Sequence, residues 1–296
     1  MSTDFGLEPG QDWAIFGPYG KDSHSRSNFA ALQDPSFDAN FGSMDDFASR
    51  VVEPSLPAYS FIEPGFGASE NSQHPDYDVA QGEQLILSVY QTLRRNPQVW
   101  NSTLLIVTYD EHGGLYDHVG PPRSATPPGD NTVGQYGFDF SRFGVRVPAV
   151  LVSPLIAPGT VFRSAEGTID HTSVLKTIFE RWGGPDPVYL TDRDKAAPSL
   201  SGVLTLSTPR ADDPFSNVAH QAPCLNCSVS TTPSTLDLLH AEQVARLPVP
   251  DSSGYVDADG PPLPTTADGV KAFVAERSAA WRAFRKDAGE SEAPDK

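Results

Sequence analysis

The sequence predicts an α/β fold of layered sheet and helices, interrupted by long loops and followed by an irregular C-terminal extension. Two near-continuous β-branched runs, Thr103–Tyr109 and Val147–Ser153, have the composition of strands buried on both faces of a parallel sheet. Two further segments, Val79–Leu93 and Asp170–Trp182, repeat apolar residues at helical spacing. Strands and helices thus alternate along the chain, the pattern of helices packed on a sheet.

In order along the chain, residues 1–40 are rich in Gly, Ser, Asp and Pro without a sustained period and read as an irregular segment with no element of their own. An α/β domain is expected over residues 41–200. Phe41–Arg50 reads as a short helix, and Ala58–Ile62 as a short strand ended by Glu63-Pro64-Gly65. The helix over Val79–Leu93 is given an N-cap by Asp78, a basic last turn by Arg94 and Arg95, and a stop by Asn96-Pro97. The Gly/Pro-rich excursion from Gly113 to Gly144 is too long for an ordinary connection, which makes it a candidate active-site loop. Asp170–Trp182 places Val174, Leu175, Ile178, Phe179 and Trp182 on one face, and Gly183-Gly184 stops it. Residues 201–286 form a Pro-rich extension with two amphipathic helices, Ser234–Leu247 and Gly269–Arg285, expected to pack on the core. Residues 287–296 read as a disordered tail.

Charge narrows the partners. A formal net charge of -17 argues against nucleic acid, whose binding rests on clustered Lys and Arg. An anionic substrate would then need local positive potential, from a metal ion or helix N-termini. The two cysteines, Cys224 and Cys227, lack the second pair that a zinc site requires and read as a local disulfide or free thiols. Met1–Gly10 has neither a basic nor an apolar leader region, and no stretch is long and apolar enough to be a transmembrane segment.

The chemistry concentrates where Leu104–Tyr109 runs into Asp110-Glu111-His112-Gly113-Gly114, because ligands of open α/β sheets bind at the carboxyl ends of strands. Adjacent carboxylates repel unless a cation neutralises them, so Asp110 and Glu111 are candidate ligands of a divalent metal ion. The alternative is a pair of solvated loop acids before a glycine turn. His74, His112, His118 and His171 all fall at the ends of elements, where such folds present catalytic groups.

The stretch Trp100–Pro122 resembles the signature of the phosphoesterase family that holds bacterial phospholipases C and an acid phosphatase. Leu56–Pro64, His74-Pro75 with the Gly82 helix, Arg146–Pro154, and Asp170–Ile178 with Asp192-Arg193-Asp194 follow in the family's order, so the resemblance covers roughly residues 41–200. It implies part of an alkaline phosphatase-like layered sheet and hydrolysis of a phosphate ester or phospholipid headgroup by a metal-assisted hydroxyl nucleophile. It also implies Asp110 and Glu111 as metal ligands and His74 and His112 as catalytic groups, with His118, His171 and Asp170 as secondary candidates. Relatives are commonly exported. The family's Glu-Asn pair and the Ser or Thr nucleophile have no counterpart in this sequence. The expectation is therefore a truncated hydrolase or, alternatively, a non-catalytic relative acting as a binding protein.

Overall fold

The computed structural model describes residues 12–29, 32, 34–65, 71–75, 77–219 and scattered positions from 233 to 284. The chain divides into two compact units, Met1–His74 with Asp78–Pro223, and Pro75–Tyr77 with Cys224–Lys296.

The first unit contains a three-stranded parallel sheet in the order β2-β1-β3: β1 is Trp13–Phe16, β2 Phe41–Gly42 and β3 Tyr59–Ile62. Its central strand lies in the segment expected to be without structure. Trp-Ala-Ile-Phe is apolar throughout and only four residues long, too short for a period to show. Trp13 pairs with Tyr59, and Ile15 with both Phe61 and Phe41. Helix α1, His24–Asn28, intervenes between β1 and β2.

Helix α2, Met44–Val52, begins later than expected because Ser43 and Asp46 close a capping box that satisfies backbone donors at its start, while Phe41 and Gly42 join the sheet. Helix α3, Val79–Arg94, carries the expected Asp78 cap on Ala80 N at 2.9 Å. Asn96 ends it and caps a further short helix, α4, Pro97–Trp100. The Asn96 amide also donates to Val51 O at 2.8 Å, tying the end of α2 to that junction.

Ala14, Phe16, Phe47, Val51, Val89 and Leu93 form the core between sheet and helices. Phe16 and Val51 are fully buried, and each such side chain is worth about 1.5–3 kcal/mol on burial.

The two β-branched runs do form strands, β4 at Leu105–Thr108 and β5 at Ala149–Val152, but they pair antiparallel with each other in a separate two-stranded sheet. The expectation of parallel strands buried on both faces is corrected here. Apolarity encodes a demand for burial and carries no information on strand direction, which the Gly113–Gly144 excursion sets by returning the chain alongside β4. Leu105 and Val152, a register pair, pack against the core, whereas Val150, two positions on, is 56% exposed. Among the described residues the architecture is thus mixed α/β with two small sheets.

Helix α5, Thr172–Trp182, follows the expected pattern, with its backbone ending at Gly183. Helix α6, Asp192–Ala196, is opened by a second capping box between Thr191 and Asp194. In the second unit Ala241, Ala245 and Val270, which fall in the two expected C-terminal helices, are helical and buried. Arg277 Nε donates to Ala245 O at 3.0 Å, joining one helix to the other. Cys224, Cys227 and residues 287–296 lie outside the described residues.

Candidate active site

Beyond β4 the chain turns sharply. Gly113 and Gly114 sit at φ +64° and +69°, a left-handed pair that residues with a Cβ rarely adopt, which explains two glycines here. The turn is held by its own acids: Asp110 Oδ1 accepts from Glu111 N at 3.0 Å, and Glu111 Oε2 from Gly113 N at 2.7 Å. His112 Nδ1 lies 3.3 Å from the same Glu111 oxygen. Both carboxylates are exposed.

Tyr109 gathers the other candidates around this turn. Its phenol donates to Gln73 Oε1 at 2.5 Å, bringing in the loop that carries His74. Its backbone carbonyl lies 2.7 Å from His171 Nε2. A carbonyl can only accept, so Nε2 is the donor of this contact. Gln73 in turn donates to Val79 O at 2.9 Å and lies against Gly82 of α3, where an added Cβ would come within 2.3 Å of Gln73 Cγ. Exposed His74 donates its backbone N–H to Ser72 Oγ at 3.1 Å.

Two ion pairs brace the surroundings. Asp117 accepts from Arg146 Nε and Nη2 at 2.7 and 2.8 Å, a forked contact that, with Val119 N, holds its carboxyl well below the usual carboxylate range. His118 Nδ1 lies 3.6 Å from Asp117, with its ring largely in solvent. Asp170 has both oxygens engaged: Oδ1 accepts from Thr172 N and Oγ1, and Oδ2 from Arg193 Nε and Nη2.

The sequence profile of the phosphoesterase family matches residues 10–185. The chain belongs to the phosphoesterase family. Non-specific phospholipase C3 of Arabidopsis thaliana is 42% identical over 182 residues, which are 57% of this chain and 34% of that protein. Non-specific phospholipase C6 of the same plant is 41% identical over 181 residues, with the same shares. Phospholipase C B of Mycobacterium tuberculosis (strain ATCC 25618 / H37Rv) is 36% identical over 176 residues, 55% of this chain and 32% of its own length. This phosphoesterase chain spans about a third of the length of the curated relatives it matches. The match starts at residue 10 and so takes in β1, which the motif-based resemblance left out.

Within this phosphoesterase, Asp110 and Glu111 offer the oxygen donors that hard divalent cations take. Among the described residues, however, no three His, Cys, Asp or Glu side chains converge on one point. The described donor set is therefore not a complete metal site. Gln73, Tyr109, Arg146 and Arg193, which hold the candidates in place, went unassigned in the sequence. Arg146 and Arg193 lie in recognisable motifs, but their partners are distant along the chain, at separations of 29 and 23 positions. Gln73 carries no local signal beyond its place before His74. Among the described residues no helix is long and apolar enough to cross a membrane.

Proposed function

We propose that this chain contributes the carboxylate and imidazole part of a phosphoric ester hydrolase site, of the phospholipase C type, acting on a phospholipid headgroup or related phosphate ester. The observation that carries the reading is Tyr109: its two hydrogen bonds bring the His74 loop and the start of α5 to the end of β4, beside Asp110 and Glu111. In an acidic protein, a phosphate group approaching that end needs a cation, and Asp110 and Glu111 are the donors this chain offers. Further donors and the hydroxyl nucleophile would come from elsewhere in the complete domain, which would extend these strands into an alkaline phosphatase-like layered sheet. When bound, a divalent ion lowers the pKa of a coordinated hydroxyl and stabilises charge on phosphoryl oxygens.

The side chains take separate tasks. His74, exposed on its loop, faces the phosphate and protonates the departing alcohol oxygen, while His112, next to Glu111, is the second acid/base group. His171, with Nε2 directed at a main-chain carbonyl, keeps Nδ1 for substrate or cation. His118, exposed beside Asp117, is a peripheral charge-stabilising group. Asp170, fully engaged by Thr172 and Arg193, supports the turn of His171.

Calorimetric titration with Mg2+, Mn2+, Ca2+ and Zn2+ tests the carboxylates. Because Asp110 and Glu111 are exposed, the Asp110→Asn, Glu111→Gln double variant is expected to fold and to bind at least about tenfold more weakly. Equal affinity would remove both residues from the site. A chromogenic phosphodiester assay on the chain joined to the remaining part of a phosphoesterase domain tests catalysis: turnover sensitive to chelator supports the reading, and an inert complete protein rejects it in favour of a binding role.

A further inference from the structure

Arg193 has no part in the chemistry just described, yet its guanidinium joins three pieces of backbone that sequence keeps far apart. Nε and Nη2 donate to Asp170 Oδ2 at 3.2 and 2.8 Å, and Nη1 donates to Phe140 O at 3.1 Å. The guanidinium carbon lies 5.1 Å from the centroid of the Phe143 ring. Both members of the ion pair are largely shielded, at 20% and 16% side-chain exposure, so solvent screens the contact only partly.

At one end of this junction is the long excursion, folded on itself by the bonds Ala125 N to Ser141 O and Phe143 N to Pro122 O. Phe140 sits there at φ +60°, a conformation that a residue with a Cβ keeps only when its surroundings hold it. The residue before Arg193 grips the same excursion, since Asp192 N donates to Pro128 O at 2.9 Å. At the other end is Asp170, whose second oxygen caps Thr172, and between them stands His171 with its ring on Tyr109 O.

We propose that Arg193 is a positioning residue that locks the 122–143 excursion to Asp170 and, through Asp170, fixes the turn that aims His171 at the end of β4. This rests on reading that strand end as the phosphoesterase site. The geometry is specific to arginine. A planar fork can hold a carboxylate, a carbonyl and a ring face together, whereas a lysine ammonium is a point charge that serves one or two of them.

The test uses NMR of the full chain, reading the His171 ring nitrogens and amide exchange across residues 122–143 in wild type, Arg193→Lys and Arg193→Ala. In Arg193→Ala, exchange in the excursion should accelerate about tenfold or more, and the His171 ring should lose its Nε2–H hydrogen bond to Tyr109 O, while the amides of α5 stay protected. Added methylguanidinium should restore both signals in part, and Arg193→Lys should recover them only incompletely. If Arg193→Ala disturbs α5 itself, Asp170→Asn, which keeps size and removes the charge, is expected to reproduce the excursion and ring effects. Unchanged His171 and excursion signals in the variants, or full recovery with lysine, would overturn the proposal. Because none of these signals depends on turnover or cation binding, a failure of the hydrolase reading would leave this result standing, and the reverse.

Discussion

The two sheets described in the first unit are written in similar residues and end in different environments. β1, β2 and β3 lie parallel, with Phe16 fully buried and α2 and α3 packed over them. β4 and β5 are as apolar, yet only Leu105 and Val152 reach that core, and Val150 on the same face is left 56% exposed. The first region is held by side-chain burial. The second, which carries the candidate site, is held by side-chain hydrogen bonds from Tyr109, His171, Arg146 and Arg193. Stability and candidate chemistry are thus supported by different forces in neighbouring parts of one unit.

Truncation at the centre of each region gives the largest contrast. Phe47→Ala, at 2% exposure with its ring 5.6 Å from that of Phe16, should cost about 3–5 kcal/mol in denaturant unfolding. Val150→Ala should cost under about 0.5 kcal/mol, because it removes a partly solvated side chain. Similar costs for the two would erase the distinction.

A smaller effect is expected at Tyr90, whose hydroxyl donates to Asp213 at 2.6 Å inside the first region. Burial, reinforced by Asp213, pushes its phenol up to about 12. A raised acid pKa means that the folded state holds the proton longer than the unfolded chain. This contribution is complete below about pH 10 and is lost as pH rises from about 10 to about 12. Tyr90→Phe should cost about 1 kcal/mol at neutral pH and remove that alkaline step from an ultraviolet titration followed with stability.

Tyr109→Phe sharpens the contrast from the other side. Loss of the phenol donor to Gln73 should cost about 1 kcal/mol or less, and loosen the His74 loop in hydrogen exchange. The bond from His171 survives, because its acceptor is backbone. Simultaneous loss of both contacts would show that they are one cooperative unit.

The gentlest perturbation is acid. Asp117 has a depressed carboxyl pKa, so the support it draws from Arg146 is present above the unfolded value near about 4 and is lost as pH falls below it. Exchange of the Val119 amide, which donates to Asp117, should rise across that range in wild type, and be faster at neutral pH in Arg146→Gln.

What could be read in the sequence follows the same division. Helices α3 and α5 were legible because period, caps and stops agree along contiguous residues, as with Asp78 before Val79 and Gly183 after Trp182. β1 was not, since four apolar residues carry no period. The strand runs were legible as strands, but their direction was not, for it depends on where a 40-position return places the chain. Asp110, Glu111 and the histidines stood out by type and by position at element ends. The residues that organise them did not, because a bond from Arg193 to Phe140 or from Tyr109 to Gln73 leaves no mark in either neighbourhood.

Gly82 sets a trap for anyone stabilising this protein by design. Alanine at a buried helical glycine is ordinarily worth up to about 1 kcal/mol in helix propensity, and a consensus of local preferences would choose it. Here the added methyl would occupy the place of the Gln73 side chain, and through it release the tyrosine at the head of the acidic turn. A variant scored only by its melting temperature could pass as an improvement while the candidate site came apart.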